Sequence, residues 1–208
     1  MKHIELILFD LGGVLVEVAG TPAMLKWMNR NLSVGELWDA WLNSSAVRAF
    51  ERGRSTAEQF ADELIDEMDL SVERDEFITA FIQWPTRLYP GASGLIERLN
   101  KNYTLACLSN TNALHWPRLI DEMGIDKMFS KLFASHQTGK LKPDAESFEH
   151  VLHTLNCDAS RILFLDDNEI NVKGAQELGL IAKQVKGVEG VKEYLERIGI
   201  LDAMDNNM

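Results

Sequence analysis

The sequence predicts an α/β fold: a parallel sheet with helical crossovers, interrupted early by a small insertion made only of helices. Two observations carry this. Short, near-continuous apolar runs alternate with amphipathic helical patterns through most of the chain, as expected for strands buried on both faces. Between about Thr21 and Arg87 the alternation stops and helical patterns follow one another.

The first apolar run, Ile4–Phe9 (IELILF), ends at Asp10. Tyr103–Leu108 (YTLACL) ends at Ser109, and Arg161–Leu165 (RILFL) ends at Asp166 and Asp167. Lys131–Ala134 and Ile181–Val185 are weaker strand candidates. Helical spacing lies between them. Leu95, Ile96 and Leu99 share a face. So do Phe148, Val151, Leu152 and Leu155, after Asp144. Asn168–Leu178 should form a helix stopped by Gly179, and Val188–Ile198 a last helix ended by Gly199. The closing AMDNNM is expected to fray.

In the insertion, helices are expected around Ala23–Asn31, Val34–Asn43, Thr56–Met68 and Val72–Trp84, with Ser33, Ser55 and Ser71 as N-caps. Trp27, Trp38, Trp41 and Trp84 fall here at helical spacing and read as packing residues. The expected organisation is a Rossmann-like parallel sheet core from 1–17 plus 88–208, with the all-helical insertion at 18–87.

The chain has 208 residues, 46% hydrophobic and 25% charged, enough for one such domain with a modest insertion. Its 21 Lys and Arg against 32 Asp and Glu leave a net charge of −11. That surface repels nucleic acid and anionic membrane, so neither is expected as a partner. It repels phosphate esters too, so a phosphate site must make its own local positive charge. Cys107 and Cys157 lack metal-type spacing and read as inert reduced thiols. No apolar run approaches the ~18 residues of a membrane span, and a cytoplasmic protein is expected.

In parallel α/β sheets ligands bind beyond the carboxyl ends of the strands. Asp10, Ser109, Asp166 and Asp167 all stand at such ends, so they should converge on one sheet edge. Gathered carboxylates raise one another's pKa, and a divalent cation relieves them. Oxygen ligands without Cys select magnesium over zinc. The plain alternative makes Asp166 or Asp167 a helix N-cap. Asp10 differs, because a Leu11–Gly12–Gly13 turn follows it rather than an amphipathic helix.

Four segments resemble, in order, the motifs of the haloacid dehalogenase-like hydrolases: LILFDLGGVLVE, LACLSNTN, GKLKPDAESF and ILFLDDNEINVKGAQELG. FERGRSTAEQFADEL resembles the cap segment of a subgroup that includes bacterial sugar-phosphate phosphatases and the N-terminal domain of soluble epoxide hydrolases. The resemblance implies a magnesium-dependent phosphatase with Asp10 as nucleophile, forming an aspartyl-phosphate. It implies metal ligation by Asp10, the Gly12 carbonyl and Asp167, with Asp166 behind or through water, and Asn171 orienting a metal water. Ser109 and the Asn110 N–H would hold the phosphoryl oxygens. Lys142 would bridge Asp10 and phosphate, with Lys140 as its rival.

One position departs from the pattern. Gly12 stands where the family's phosphatases usually have an acid–base Asp, a function worth about 10²–10⁴ in rate. Three readings stay open: a phosphatase with a substitute acid, a metal-independent hydrolytic dehalogenase, or a non-catalytic phosphometabolite-binding protein. The expected partner is a small phosphorylated metabolite, with sugar phosphates among the candidates. His115 is one candidate substitute acid, with a solvated histidine as the plainer reading. Arg48, Glu51, Arg52 and Arg54 are within reach of a substrate but read first as surface charge. The oligomeric state is open between monomer and homodimer.

Overall fold

The computed structural model describes residues 4–202, so the AMDNNM segment lies outside the described residues. The chain opens with β1 (Leu6–Phe9) and a short β2 (Val16–Val18). Five helices follow: α1 (Thr21–Trp27), α2 (Val34–Asn43), α3 (Ser45–Glu51), α4 (Ala57–Met68) and α5 (Arg74–Ile82). After β3 (Pro85–Leu88) the alternation returns with α6 (Ala92–Leu99), β4 (Thr104–Ser109), β5 (Lys131–Ala134) and α7 (Ser135–Thr138). It closes with α8 (Ala145–Leu155), β6 (Ile162–Asp166), α9 (Glu169–Glu177), β7 (Ile181–Gln184) and α10 (Gly187–Arg197).

The main sheet has five strands in the order β5-β4-β1-β6-β7, all pairs parallel. Side chains alternate along each strand, so every strand feeds two cores. Ile7 and Phe9 pack with Leu95 and Leu99 of α6 and Val191 and Leu195 of α10. Leu6 and Leu8 pack on the opposite side with Phe148 and Val151 of α8 and Ala175 of α9. This two-sided burial is why the strands read as continuous apolar runs. It also places β1 at the centre, with Asp10 at its carboxyl end.

The helical insertion has its own aromatic core. Phe50 stacks on Phe60 at 4.3 Å between ring centroids, and Phe81 meets Trp84 edge-on at 4.7 Å. Trp27, Trp41 and Trp84 are buried in this cluster, and Trp38 packs against it. Each such side chain contributes about 1.5–3 kcal/mol by leaving water.

Three features differ from the sequence expectations. First, Val16–Val18 and Pro85–Leu88 pair as a two-stranded antiparallel ribbon, with Val16 opposite Leu88 and Glu17 opposite Arg87. Pro85–Leu88 lies partly in the stretch expected to hold no strand. Its Thr86 and Arg87 are exposed, so no apolar run marks it. Second, α3 is an additional helix. It is short and follows α2 after Ser44, which caps it by accepting the Val47 N–H at 3.2 Å. Glu67 accepts the Ser45 and Ala46 N–H groups at 3.0 and 3.2 Å, placing negative charge at the helix start. Third, two caps shift. Ser33 does form a capping box with Glu36, but the cap of α4 is Thr56, boxed with Gln59, rather than Ser55. The Ser71 hydroxyl is drawn to Asn29, and α5 starts after Glu73 without a side-chain cap.

Candidate active site

Asp10 follows β1 and Asp166 ends β6, its neighbour in the sheet. The Asp10 N–H donates to the Leu165 carbonyl at 2.9 Å, which fixes the nucleophile candidate against the adjacent strand. Lys142 reaches both acids from the segment before α8. Its Nζ lies 2.8 Å from Asp10 Oδ1 and 2.6 Å from Asp166 Oδ2. The lysine side chain is buried, so this is a desolvated charge held by geometry and not a surface pair.

The two acids of the DD pair have different surroundings. Asp166 is fully buried, and its oxygens accept from Lys142, from the Asn168 N–H at 2.8 Å and from Asn171 Nδ2 at 3.0 and 3.1 Å. Asp167 carries no such load: among the described residues its carboxylate engages only its own backbone N–H. Neither acid caps α9. Asn168 does so, accepting the Ile170 N–H at 3.0 Å.

Oxygens of Asp10, Asp166 and Asp167 lie within 4.8 Å of one another. Three carboxylates beside one lysine leave net negative charge in a largely buried site. Burial, with Asp166 and Asp167 adding to it against Lys142, pushes the Asp10 carboxyl up to about 7. Burial and Asp166 push Asp167 up to about 6, opposed by Lys142 and Lys186. Burial disfavours the Lys142 ammonium, but Asp10 and Asp166 outweigh it and hold the amine above its ordinary range.

The turn after Asp10 is built for close approach. The Gly12–Val16 bridge is closed by Gly13 N–H on Val16 O at 2.9 Å and Val16 N–H on Leu11 O at 2.8 Å. That pairing leaves the Gly12 carbonyl out of it. Gly13 has φ +70°, and a Cβ there would stand 2.2 Å from Asp167 Oδ2. The second glycine is therefore required by the Asp167 carboxylate itself. Asp10, Asp167 and the Gly12 carbonyl offer only oxygen donors, with Asp166 saturated behind them. This set fits a hard divalent cation such as magnesium.

Ser109 ends β4 and is buried beside this cluster. Gly12, Ser109 and Asn110 join a cavity of about 160 Å³, whose apolar wall includes Trp38, Trp41, Phe81 and Trp84. Trp38, Trp41 and Trp84 thus pack the insertion and also face the cavity.

Other candidates have different fates. Lys140 turns to Glu146 at 3.6 Å, away from the cluster. His115 is fully engaged. Its Nε2 donates to the Phe81 carbonyl at 2.7 Å, and its Nδ1 lies 3.2 Å from Asn112 Nδ2. Burial pushes its pKa down to about 4, so it stays neutral with its proton committed and is not a substitute acid. Arg48 pairs with Asp144 at 2.9 Å and Arg52 pairs with the same carboxylate, so these arginines tie α3 to the start of α8. Arg54 is exposed. Glu51, by contrast, lines the cavity. Its charged segment marks it as surface charge in the sequence; only the fold shows which face of α3 it occupies.

Two side chains carry structural work that sequence reasoning did not assign. The Asn110 carboxamide grips the backbone of Lys142 in both directions, at 2.9 Å each. Ser135 Oγ accepts the Thr111 N–H at 2.9 Å and donates to the Thr111 carbonyl at 2.8 Å, pinning the next residue of the same loop. The N after Ser109 was the available signal for the first. Nothing local marked the second.

A parallel sheet that gathers an aspartate, a lysine, a serine and an acid pair at its carboxyl edge defines a hydrolase built for an anionic substrate and a cation. Comparison with known proteins agrees. The haloacid dehalogenase-like hydrolase family profile matches residues 4–179, and the chain belongs to that family. It is 27% identical over 183 residues to the D-ribitol-5-phosphate phosphatase of Bacteroides thetaiotaomicron, covering 85% of this chain and 89% of the relative. It is 29% identical over 180 residues to a sesquiterpene phosphatase of Aspergillus oryzae, covering 84% and 86%. A haloacid dehalogenase-family enzyme of B. thetaiotaomicron, crystallised with magnesium and inorganic phosphate, superposes with a TM-score of 0.71 at 26% identity, over 88% of this chain and 94% of the other. Among the described residues no helix is long and apolar enough to cross a membrane.

Proposed function

We propose that the chain is a magnesium-dependent phosphatase that hydrolyses a small phosphorylated metabolite, with sugar phosphates as the leading class, through an aspartyl-phosphate on Asp10. The observation that carries this is the contact of Lys142 with both Asp10 and Asp166 at 2.8 and 2.6 Å, beside the Asp167 carboxylate. A lysine so placed holds the nucleophile in register and supplies the local positive charge that a net −11 protein otherwise lacks.

Phosphoryl transfer depends on positioning and charge neutralisation. Asp10 attacks phosphorus with its free oxygen while Lys142 holds the other. The Ser109 hydroxyl and the Asn110 N–H receive the phosphoryl oxygens. Asp10, Asp167 and the Gly12 carbonyl would hold magnesium, which supplies charge neutralisation for a carboxylate meeting a phosphate. Asp166, bonded by Lys142, Asn168 and Asn171, orients the lysine rather than the metal. The helical insertion at 18–87 serves as a cap over the core, excludes water and selects the alcohol part. The relatives agree in acting on phosphate and differ in the alcohol they name. A metal-free displacement at carbon would leave Asp167 without a task, which favours phosphate over a halogenated acid.

The test is phosphate release from p-nitrophenyl phosphate and a panel of polyol, sugar and terpenyl phosphates, with magnesium and with EDTA. Release that EDTA abolishes supports the proposal and ranks the substrates. No release from any of them by folded protein would refute it.

A further inference from the structure

We infer that Glu51, at the end of α3, is the proton donor and acceptor that takes the place of the acid missing at Gly12. This inference rests on the phosphatase reading above and names a residue for the step which that reading leaves unassigned.

The cavity beside the cluster is lined by Gly12, Ser109 and Asn110 from the core and by Glu51 from the insertion. Gly12 offers it no side chain. His115 also lines it, but both ring nitrogens are engaged and its proton is held by the Phe81 carbonyl. Asp166 is saturated with hydrogen bonds, and Asp167 would be taken up as a metal ligand. Glu51 is the acid that remains. Among the described residues its carboxyl has no hydrogen bond or ion pair. Its neighbours Arg48 and Arg52 are drawn off by Asp144, which leaves Glu51 free to face the cavity.

Its surroundings suit the task. Burial is the main influence and pushes the carboxyl up to about 7, with Asp10 adding and with Lys142 and Arg48 opposing. A carboxyl poised there is protonated often enough to give a proton and basic enough to take one back.

The step balances. As Asp10 Oδ bonds to phosphorus, the bond from phosphorus to the ester oxygen breaks, and that oxygen takes the Glu51 proton and leaves as alcohol. Glu51 is now a carboxylate. It accepts a proton from a water whose oxygen bonds to phosphorus. The bond from phosphorus to Asp10 breaks, phosphate leaves, and both carboxyls return to their starting state.

The experiment compares kcat/KM of wild type and Glu51→Gln for p-nitrophenyl phosphate, whose phenolate leaves unprotonated, and for phenyl phosphate, whose leaving group needs the proton more. The expected result is a loss approaching the general-acid range of about 10²–10⁴ for phenyl phosphate and a much smaller loss for p-nitrophenyl phosphate. A burst of p-nitrophenol equal to the enzyme is also expected, because the second step lacks its base. Gly12→Asp in the Glu51→Gln background should recover phenyl phosphate turnover. A Cβ at Gly12 meets only Val18 Cγ2 at 3.4 Å, so the backbone there accepts a side chain without a clash at its first atom. Equal losses on both esters, or no loss, with the wild type active, would overturn the role of Glu51 alone. A folded wild type inactive on both esters would overturn the phosphatase reading beneath it.

Discussion

Asn110 and Lys142 exchange two hydrogen bonds: Asn110 Nδ2 donates to the Lys142 carbonyl, and Asn110 Oδ1 accepts the Lys142 N–H, each at 2.9 Å. The residue after Ser109 thus fixes the backbone of the lysine that spans Asp10 and Asp166. One loop sets the position of the charge that another strand needs.

Asn110→Ala removes both partners at once and leaves two backbone groups unsatisfied in a half-buried site. A loss of about 1–3 kcal/mol is expected, which corresponds to roughly 2–12 °C in Tm for a chain of this size. Lys142 would also lose its register, so kcat should fall by up to about 10²-fold. Thermal unfolding and steady-state kinetics check the two parts. An unchanged Tm would show that the pair carries no stability.

Gly13→Ala puts a Cβ at φ +70°, where it would stand 2.2 Å from Asp167 Oδ2. Asp167 must then move. The magnesium concentration for half-maximal activity should rise about 10–100-fold, as when the support of a metal ligand is lost. Gly35→Ala in α2 meets nothing within 4 Å and is the control. It should leave magnesium dependence alone and add up to about 1 kcal/mol through helix propensity. Equal magnesium curves for Gly13→Ala and wild type would show that Asp167 is not the residue displaced.

His115 gives a pH dependence with a definite sign. Its folded pKa is pushed down to about 4 from an ordinary 6.5. Between these values the unfolded chain binds the extra proton, so stability rises with pH across the window and is lost as pH falls toward 4. The full effect is at most about 3 kcal/mol. His115→Gln keeps a donor for the Phe81 carbonyl and removes the titration. Urea unfolding at pH 4.5, 5.5 and 6.5 should show a flatter acid limb for the variant. Parallel limbs would mean that another group controls acid unfolding.

The fold and the site were legible to different degrees. Strand ends were readable because two-sided burial makes a parallel strand a continuous apolar run. Asp10, Ser109 and Asp166 could therefore be placed at sheet ends from the sequence. The ribbon of Val16–Val18 with Pro85–Leu88 was not readable, since Val18, Thr86 and Arg87 are exposed and leave no period to detect. Helix α3 was hidden by its length and its close approach to α2. The direction of Glu51 depended on that helix. The fate of His115, which sequence left open as an acid, depended instead on α5, whose Phe81 carbonyl holds its proton. Pairings across distant segments, Asn110 with Lys142 and Thr111 with Ser135, have no signature in either segment alone.

The most direct test of the central claim is the rate of phosphate release by Asp10→Asn with saturating magnesium, on the best substrate of the wild type. The amide cannot form the acyl phosphate, yet it fits beside Lys142 and should leave the fold intact by thermal unfolding. The account predicts a fall of at least about 10⁴-fold, comparable to the loss of other catalytic nucleophiles. A folded variant that keeps a tenth or more of the wild-type rate would contradict it.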